Sequence, residues 1–344
     1  MTDNPTDAGD DAMLRALTGR TVLRPRWERT LAALRVTLTL GFFVSLFFVF
    51  GLTPGRLAGA VGDADGLPLA LAFAVLAVVM VLLAFKWYML AGALNIRTSF
   101  SAITRLYFVG TVLNNVLTTA IGGDVYRVYF LSREGNASVK RSLASVIMER
   151  ATGYAGLLLL AVAAACFYFL GLLPGVAASL ALLVVLGLSY PLLGRLRRNG
   201  SPANDHSWRW WRNRPLTSSL YGIAALSVVQ QSLWITVAAL LGLAYDANVA
   251  WSYWALTVTA VTLLTMLPIS VGGLGVREVG YASLLAPVGV DAGRAAAIGL
   301  AIGFGPAVVS LAGLVLFMAM GFRPQRSPLL ASDDIEEPQP ERIG

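Results

Sequence analysis

The sequence predicts an all-α polytopic membrane protein: six full spans plus two re-entrant broken-helix hairpins, arranged as an inverted repeat. Eight plain transmembrane helices is the alternative count. Three observations carry this prediction. The 344 residues are 57% hydrophobic and 13% charged, against about 25% charged in a soluble domain. Uncharged stretches long enough to cross a bilayer alternate with short connections, several of them basic. Two of those stretches are interrupted by polar residues and paired glycines, and the interruptions resemble each other.

Residues 1–30 read as a cytoplasmic N-terminal segment, acidic first (Asp3, Asp7, Asp10, Asp11) and then basic (Arg15, Arg20, Arg24, Arg26, Arg29). The transmembrane domain occupies 31–322, with repeat halves at 31–172 and 173–322, and 323–344 is an acidic, proline-containing tail expected to be disordered in the cytoplasm. A first span fits 36–55. A second fits 68–85, closed by Lys86-Trp87-Tyr88 in the manner of an interface anchor. Residues 106–123 are uncharged but carry Asn114, Asn115, Thr118 and Thr119, and break at Gly122-Gly123. Basic residues flank this stretch on both sides, so it enters and returns without crossing. Residues 151–194 carry no charge and hold two spans around Gly171-Leu172-Leu173-Pro174-Gly175. The loop 195–214 mixes arginines with Trp208, Trp210 and Trp211; between two spans it reads as a cytoplasmic interfacial loop rather than a nucleic-acid site. A span at 215–245 contains Gln230 and Gln231. Residues 247–276 are again uncharged and run into the second break. A short segment at 278–290 and a last span at 295–322 complete the chain, the latter with Gly299-Leu300-Ala301-Ile302-Gly303, a small-residue packing face. No cleavable signal peptide is visible, since the first apolar stretch is long enough to span. Placing the N-terminus, both flanks of the first break, the 195–214 loop and the C-terminus inside leaves Arg56 and Arg294 on the outer connections. The second half is then upside down relative to the first, as in many secondary transporters.

The breaks are the candidate site. Ile121-Gly122-Gly123-Asp124-Val125-Tyr126-Arg127 aligns without a gap on Val271-Gly272-Gly273-Leu274-Gly275-Val276-Arg277, the glycine pair and the arginine coinciding. Each glycine pair starts a half-helix whose N-terminal amides carry positive potential. Arg127 and Arg277 are expected in the first turn, and amides plus arginine can receive a phosphate. Two receptors facing from opposite sides would pass an anionic headgroup between them. The candidate substrate-binding residues are Gly122, Gly123, Asp124, Arg127, Gly272, Gly273, Arg277 and Glu278, with Glu149 as a proton-linked carboxylate or arginine partner and Asn115 as a polar neighbour.

Plainer readings stand beside these. Arg127 can be a snorkelling interface arginine, Arg277 a structural partner of Glu278 or Glu149, Asp124 a helix cap. Glu149 can be a first-turn charge. Asn114, Asn115, Gln230 and Gln231 can bond between helices, and Thr259, Thr262 and Thr265 can satisfy their own helix. Catalytic and cofactor chemistry is poorly represented. Cys166 is the single cysteine and His206 the single histidine, so a thiol or imidazole metal centre has no ligands to draw on. No phosphate-binding Gly-x-x-x-x-Gly-Lys loop occurs. No cofactor and no enzymatic activity are expected, and the net charge of +7 is topological rather than a nucleic-acid signal.

Three stretches resemble the flippase-like transmembrane family of lysylphosphatidylglycerol synthases: Gly122-Gly123-Asp124-Val125-Tyr126-Arg127 with Tyr129-Phe130-Leu131-Ser132-Arg133, then Ala144-Ser145-Val146-Ile147-Met148-Glu149-Arg150, then Gly272-Gly273-Leu274-Gly275-Val276-Arg277-Glu278. The resemblance covers roughly residues 30–320. The last motif is the most specific; the first has Gly-Gly-Asp where related sequences often read Gly-x-Gly-Glu. The resemblance implies lipid handling in the cytoplasmic membrane, with phosphate-bearing lipids as partners. Without the soluble aminoacyl-transferase domain, a stand-alone member is expected. The leading expectation is a translocase of an anionic phospho- or isoprenoid-linked lipid. The alternatives are a non-transporting subunit that holds a lipid- or glycolipid-synthesis enzyme, and a lipid-modifying transferase.

Overall fold

The computed structural model describes residues 62–116, 122–177, 179–181, 217–267, 270 and 272–319, with a few positions between 37 and 59. The N-terminal segment, nearly all of the span at 36–55, the 195–214 loop with His206, and the tail lie outside the described residues. So do Thr118, Thr119 and the residues joining the first hairpin's two arms.

Regular structure among the described residues is helical. In chain order the main helices are α1 (Gly66–Ala93), α2 (Phe100–Val116), α3 (Gly122–Glu134), α4 (Val139–Leu170), α5 (Thr217–Ala244), α6 (Trp251–Met266), α7 (Val276–Leu285) and α8 (Ala292–Ala319). Four helices are long and apolar enough to cross a membrane: α1, α4, the Tyr221–Ala244 part of α5, and α8. Their outer faces carry exposed Leu67, Phe169, Val308 and Leu316, while Lys86, Arg127, Glu149 and Glu278 are buried. That arrangement inverts a water-soluble protein and suits a solvent of lipid.

Local chemistry sets the helix ends. The Asp65 side chain accepts from Leu67 N at 3.1 Å and caps α1. Gly171, at φ 89°, ends α4 where the sequence predicts a turn. One boundary differs from expectation. The span expected to stop at Phe85 runs on through Ala93 as α1. Lys86-Trp87 is therefore no interface anchor: both residues are 0% exposed. Nothing in that sequence breaks a helix, and the lysine finds polar partners inside the bundle.

The two broken segments fold as antiparallel hairpins. Along the first, Arg105 pairs with Glu134 at 2.7 Å, Gly110 lies against Arg127, and Gly123 N donates to Asn114 Oδ1 at 2.9 Å. Along the second, Tyr253 Oη donates to the Leu284 carbonyl at 2.6 Å, Val261 meets Gly280, and Thr265 meets Gly273. The arms have 17 and 13 residues in the first hairpin and 16 and 10 in the second.

Packing between the halves follows one rule. In each half the second arm packs on the helix after it, α3 on α4 and α7 on α8, and the first arm packs on the other half's last helix, α2 on α8 and α6 on α4. The helices that precede the hairpins, α1 and α5, pack closely on each other. They run antiparallel: Asp65 N donates to the Ala244 carbonyl at 2.8 Å, and Lys86 reaches Gln230 at 3.2 Å.

Candidate functional site

Between the hairpins lies a cavity of about 640 Å³. Residues of α1 to α8 line it, so both motif regions open into one space. Its charged lining is Lys86, Arg127, Arg150 and Arg277 against Asp124 and Glu149. Cations thus outnumber carboxylates on its wall. Glu278 is not part of that wall.

Arg127, from the second turn of α3, anchors one end. It is 4% exposed. Its guanidinium carbon lies 4.1 Å from the Trp87 ring centroid and 4.3 Å from that of Tyr107. Two tilted rings, their centroids 6.3 Å apart, thus cradle the cation from adjacent sides. Its edge reaches two carboxylates, Asp124 Oδ1 at 3.5 Å and Glu149 Oε2 at 3.6 Å. Glu149 is shared: its other oxygen lies 3.5 Å from Lys86 Nζ. Lys86 also donates to Gln230 Oε1 at 3.2 Å. Asp124 is shared in the same way with Arg150. This network ties α1, α3, α4 and α5 together. Trp87 Nε1 donates to Ser145 Oγ at 3.0 Å and fixes the ring on which Arg127 rests.

Several plainer readings end here. Arg127 points into the bundle and does not snorkel. Glu149 stands well inside α4, not in its first turn, and Asp124 pairs with arginines. Gly122 and Gly123 are the first residues of α3, so the pair starts a half-helix as expected. Gly123 is needed because a Cβ there would run into the Gly110 carbonyl of α2. Neither glycine lines the cavity.

At the other end the backbone is broken. Gly272, Gly273 and Gly275 have φ of 60°, 78° and 79°, a region that favours glycine. Glu278 is 1% exposed and turns back to accept from Gly275 N at 2.6 Å, closing the N-terminus of α7. It is a cap, not a cavity residue. Arg277 is in the first turn of α7, as expected. Its Nη2 donates to the Gly272 carbonyl at 3.2 Å. Among the described residues no carboxylate lies within ion-pair distance of it. Arg277 and Gly272 line the cavity; Gly273 sits against the guanidinium.

The remaining polar residues divide. Asn114, Gln230 and Gln231 bond between helices, Gln231 donating to the Gly153 carbonyl at 2.9 Å. Asn115 lines the cavity and donates to the Thr111 carbonyl of its own helix at 3.0 Å. Thr259 and Thr265 bond to carbonyls of their own helix. Among the described residues no three His, Cys, Asp or Glu side chains converge as a metal site would need. Sequence reasoning missed Lys86, Tyr107 and Arg150 as cavity residues, and Trp87 as a ring against Arg127. For Lys86 a signal existed: it is the lone charge between residues 66 and 96. A lone charge inside an apolar run is a functional candidate.

A cavity inside the helix bundle with excess positive charge on its wall suits an anion. Charge pairs are screened far less there than in water, and a forked guanidinium can grip a phosphate with two bonds. Among curated proteins, none matches this chain. The family model described as the lysylphosphatidylglycerol synthase TM region matches residues 30–313, which include both hairpins and every residue of the cavity. The chain therefore belongs to the family of lysylphosphatidylglycerol synthase transmembrane regions.

Proposed function

We propose that this protein is a flippase-like translocase of an anionic lipid, phospho- or isoprenoid-linked, in the cell membrane. The observation that carries the proposal is that the two hairpins share one cavity, lined by Arg127 from the first and Arg277 from the second. A charged headgroup is costly to move through hydrocarbon. A polar, cation-rich cavity lowers that cost while the acyl chains stay in lipid. The chain acts on lipid position and not on covalent structure.

The topology we propose has six full spans, two re-entrant hairpins and cytoplasmic termini. Three features support it. The hairpin arms are shorter than the roughly 20 residues a span needs. The packing partners exchange between halves. The corresponding helices α1 and α5 run antiparallel, as an inverted repeat requires. In a cysteine-free background, single cysteines at Asp246 and Ala292 label from outside intact cells and one at Ser132 does not. Opposite sides for Asp246 and Ala292 would favour eight plain crossings.

Reconstituted vesicles test the function. Wild-type protein moves fluorescent phosphatidylglycerol between leaflets, read by quenching from outside. The Arg127→Ala/Arg277→Ala double variant inserts in equal amount and moves none. Undiminished movement by that variant would overturn the roles of the arginines. An inert wild type with a stable partner in a mild-detergent pulldown would favour a non-transporting subunit. A change in lipid mass, given donor substrates, would favour a transferase.

A further inference from the structure

Arg277 is held by glycines on two sides. In front, the Gly272 carbonyl accepts from its Nη2 at 3.2 Å, and a Cβ on Gly273 would lie 3.1 Å from the same nitrogen. Behind is α8. A Cβ on Gly303 would collide with Nη1 and lie 2.8 Å from the guanidinium carbon. The guanidinium thus rests where a side chain on α8 would otherwise be. Arg277, Gly272 and Gly303 all face the cavity.

The two glycines of the Gly299-Leu300-Ala301-Ile302-Gly303 run have separate tasks. A Cβ on Gly299 would lie 3.2 Å from the Glu278 Cα and 3.3 Å from the Tyr281 ring. That glycine lets the two helices approach, as a small-residue packing face should. At Gly303 the three atoms nearest an added Cβ all belong to the arginine. The first hairpin has no such device. A Cβ on Gly110 would meet the Arg127 stem, Cγ at 2.7 Å and Cδ at 2.8 Å, and the Gly123 carbonyl at 3.1 Å. It serves helix approach, and rings hold the Arg127 head.

We infer that Gly303 is a positioning residue: it seats the Arg277 guanidinium against α8 so that its free edge meets a phosphate in the cavity. The inference rests on the anionic-ligand reading above and assigns the phosphate to the second hairpin. The physical warrant is which atoms an added methyl would strike. They are the far end of a flexible side chain, so Gly303→Ala displaces the charge and leaves the helices in place.

The test uses the purified full chain in detergent. Short-chain phosphatidylglycerol, inorganic phosphate and short-chain phosphatidylcholine are titrated, and thermal unfolding is followed in parallel. Wild type binds phosphatidylglycerol above phosphatidylcholine. Binding of inorganic phosphate as well would identify phosphate alone as sufficient; its absence would identify the lipid headgroup as the ligand. Gly303→Ala weakens phosphatidylglycerol binding at least about tenfold, the scale of one charge-assisted contact, with an unchanged melting temperature. Gly305→Ala, on the same helix but facing Leu76, binds as wild type. Gly303→Ala/Arg277→Lys binds better than Gly303→Ala, because the slimmer ammonium clears the methyl. Wild-type affinity in Gly303→Ala would overturn the seat and leave the anionic reading standing. No binding by wild type would overturn both. If Gly303→Ala lowers the melting temperature, the double variant decides: recovery means the methyl strikes the arginine, and no recovery makes Gly303 a packing glycine and ends the inference.

Discussion

The Arg127 and Arg277 ends of the cavity share a glycine pair and an arginine, yet they are built on opposite principles. At the first, the arginine lies against two rings and among Asp124 and Glu149, in a network that also includes Lys86 and Arg150. At the second, the arginine has a backbone carbonyl and a glycine seat, and the nearby carboxylate, Glu278, is turned away to cap the helix. The difference teaches that one motif can be spent in two ways. A charge network holds four helices in register at the first end. An under-compensated cation at the second is free for a ligand. A buried charge with its partners in place is stable and unavailable; one without them is costly and available.

The largest test of this contrast is Glu149→Ala. It leaves Lys86 and Arg127 with too little negative charge between them, and breaking such a buried network costs about 3–5 kcal/mol. Thermal unfolding in detergent reads it, and a wild-type melting curve would break the comparison. Next comes Gly123→Ala, which forces α3 away from the Gly110 carbonyl. Overpacking of this kind costs roughly 1–3 kcal/mol, and loss of crosslinking between cysteines placed on α2 and α3 would locate it. Glu278→Ala removes the acceptor for Gly275 N, a capping loss of about 1 kcal/mol. A cost equal to that of Glu149→Ala would mean that Glu278 belongs to a network after all. The smallest effect is expected for Gly272→Ala. Its φ of 60° is unfavourable for alanine, but among the described residues, chain neighbours aside, no atom lies within 4 Å of the added methyl. The cost is about 1 kcal/mol, well below that of Gly123→Ala. The reverse order would show that the aligned glycines do the same work in both halves.

Much of this was legible in the chain. Helical, membrane-crossing stretches followed from apolar runs, and the two hairpins from polar and glycine interruptions. Arg127, Arg277, Asp124, Glu149 and Asn115 were named in advance and line the cavity. Lys86 and Trp87 were misread because a Lys-Trp pair at the end of an apolar run has the composition of a membrane interface. Only the partner helices reveal that the run continues and that Glu149 and Gln230 await the lysine. Gly122-Gly123 start α3 as expected, but the sequence does not show that Gly123 also serves a close approach to α2. Tyr107 was missed because an aromatic in an apolar helix carries no mark of the cation it will face.

Sequence by itself determined the class of the protein, its helices and the positions of its interruptions. These depend on composition and on spacing along one chain, and transfer from water to lipid acts residue by residue. Tertiary structure alone decided which charges cancel. Lys86, Asp124, Glu149 and Gln230 are far apart in the chain, and a Coulomb interaction depends on the distance between groups and on the medium around them. Folding brought two carboxylates to Arg127 and left Arg277 beside glycine, and that asymmetry is written in contacts between helices rather than in either motif.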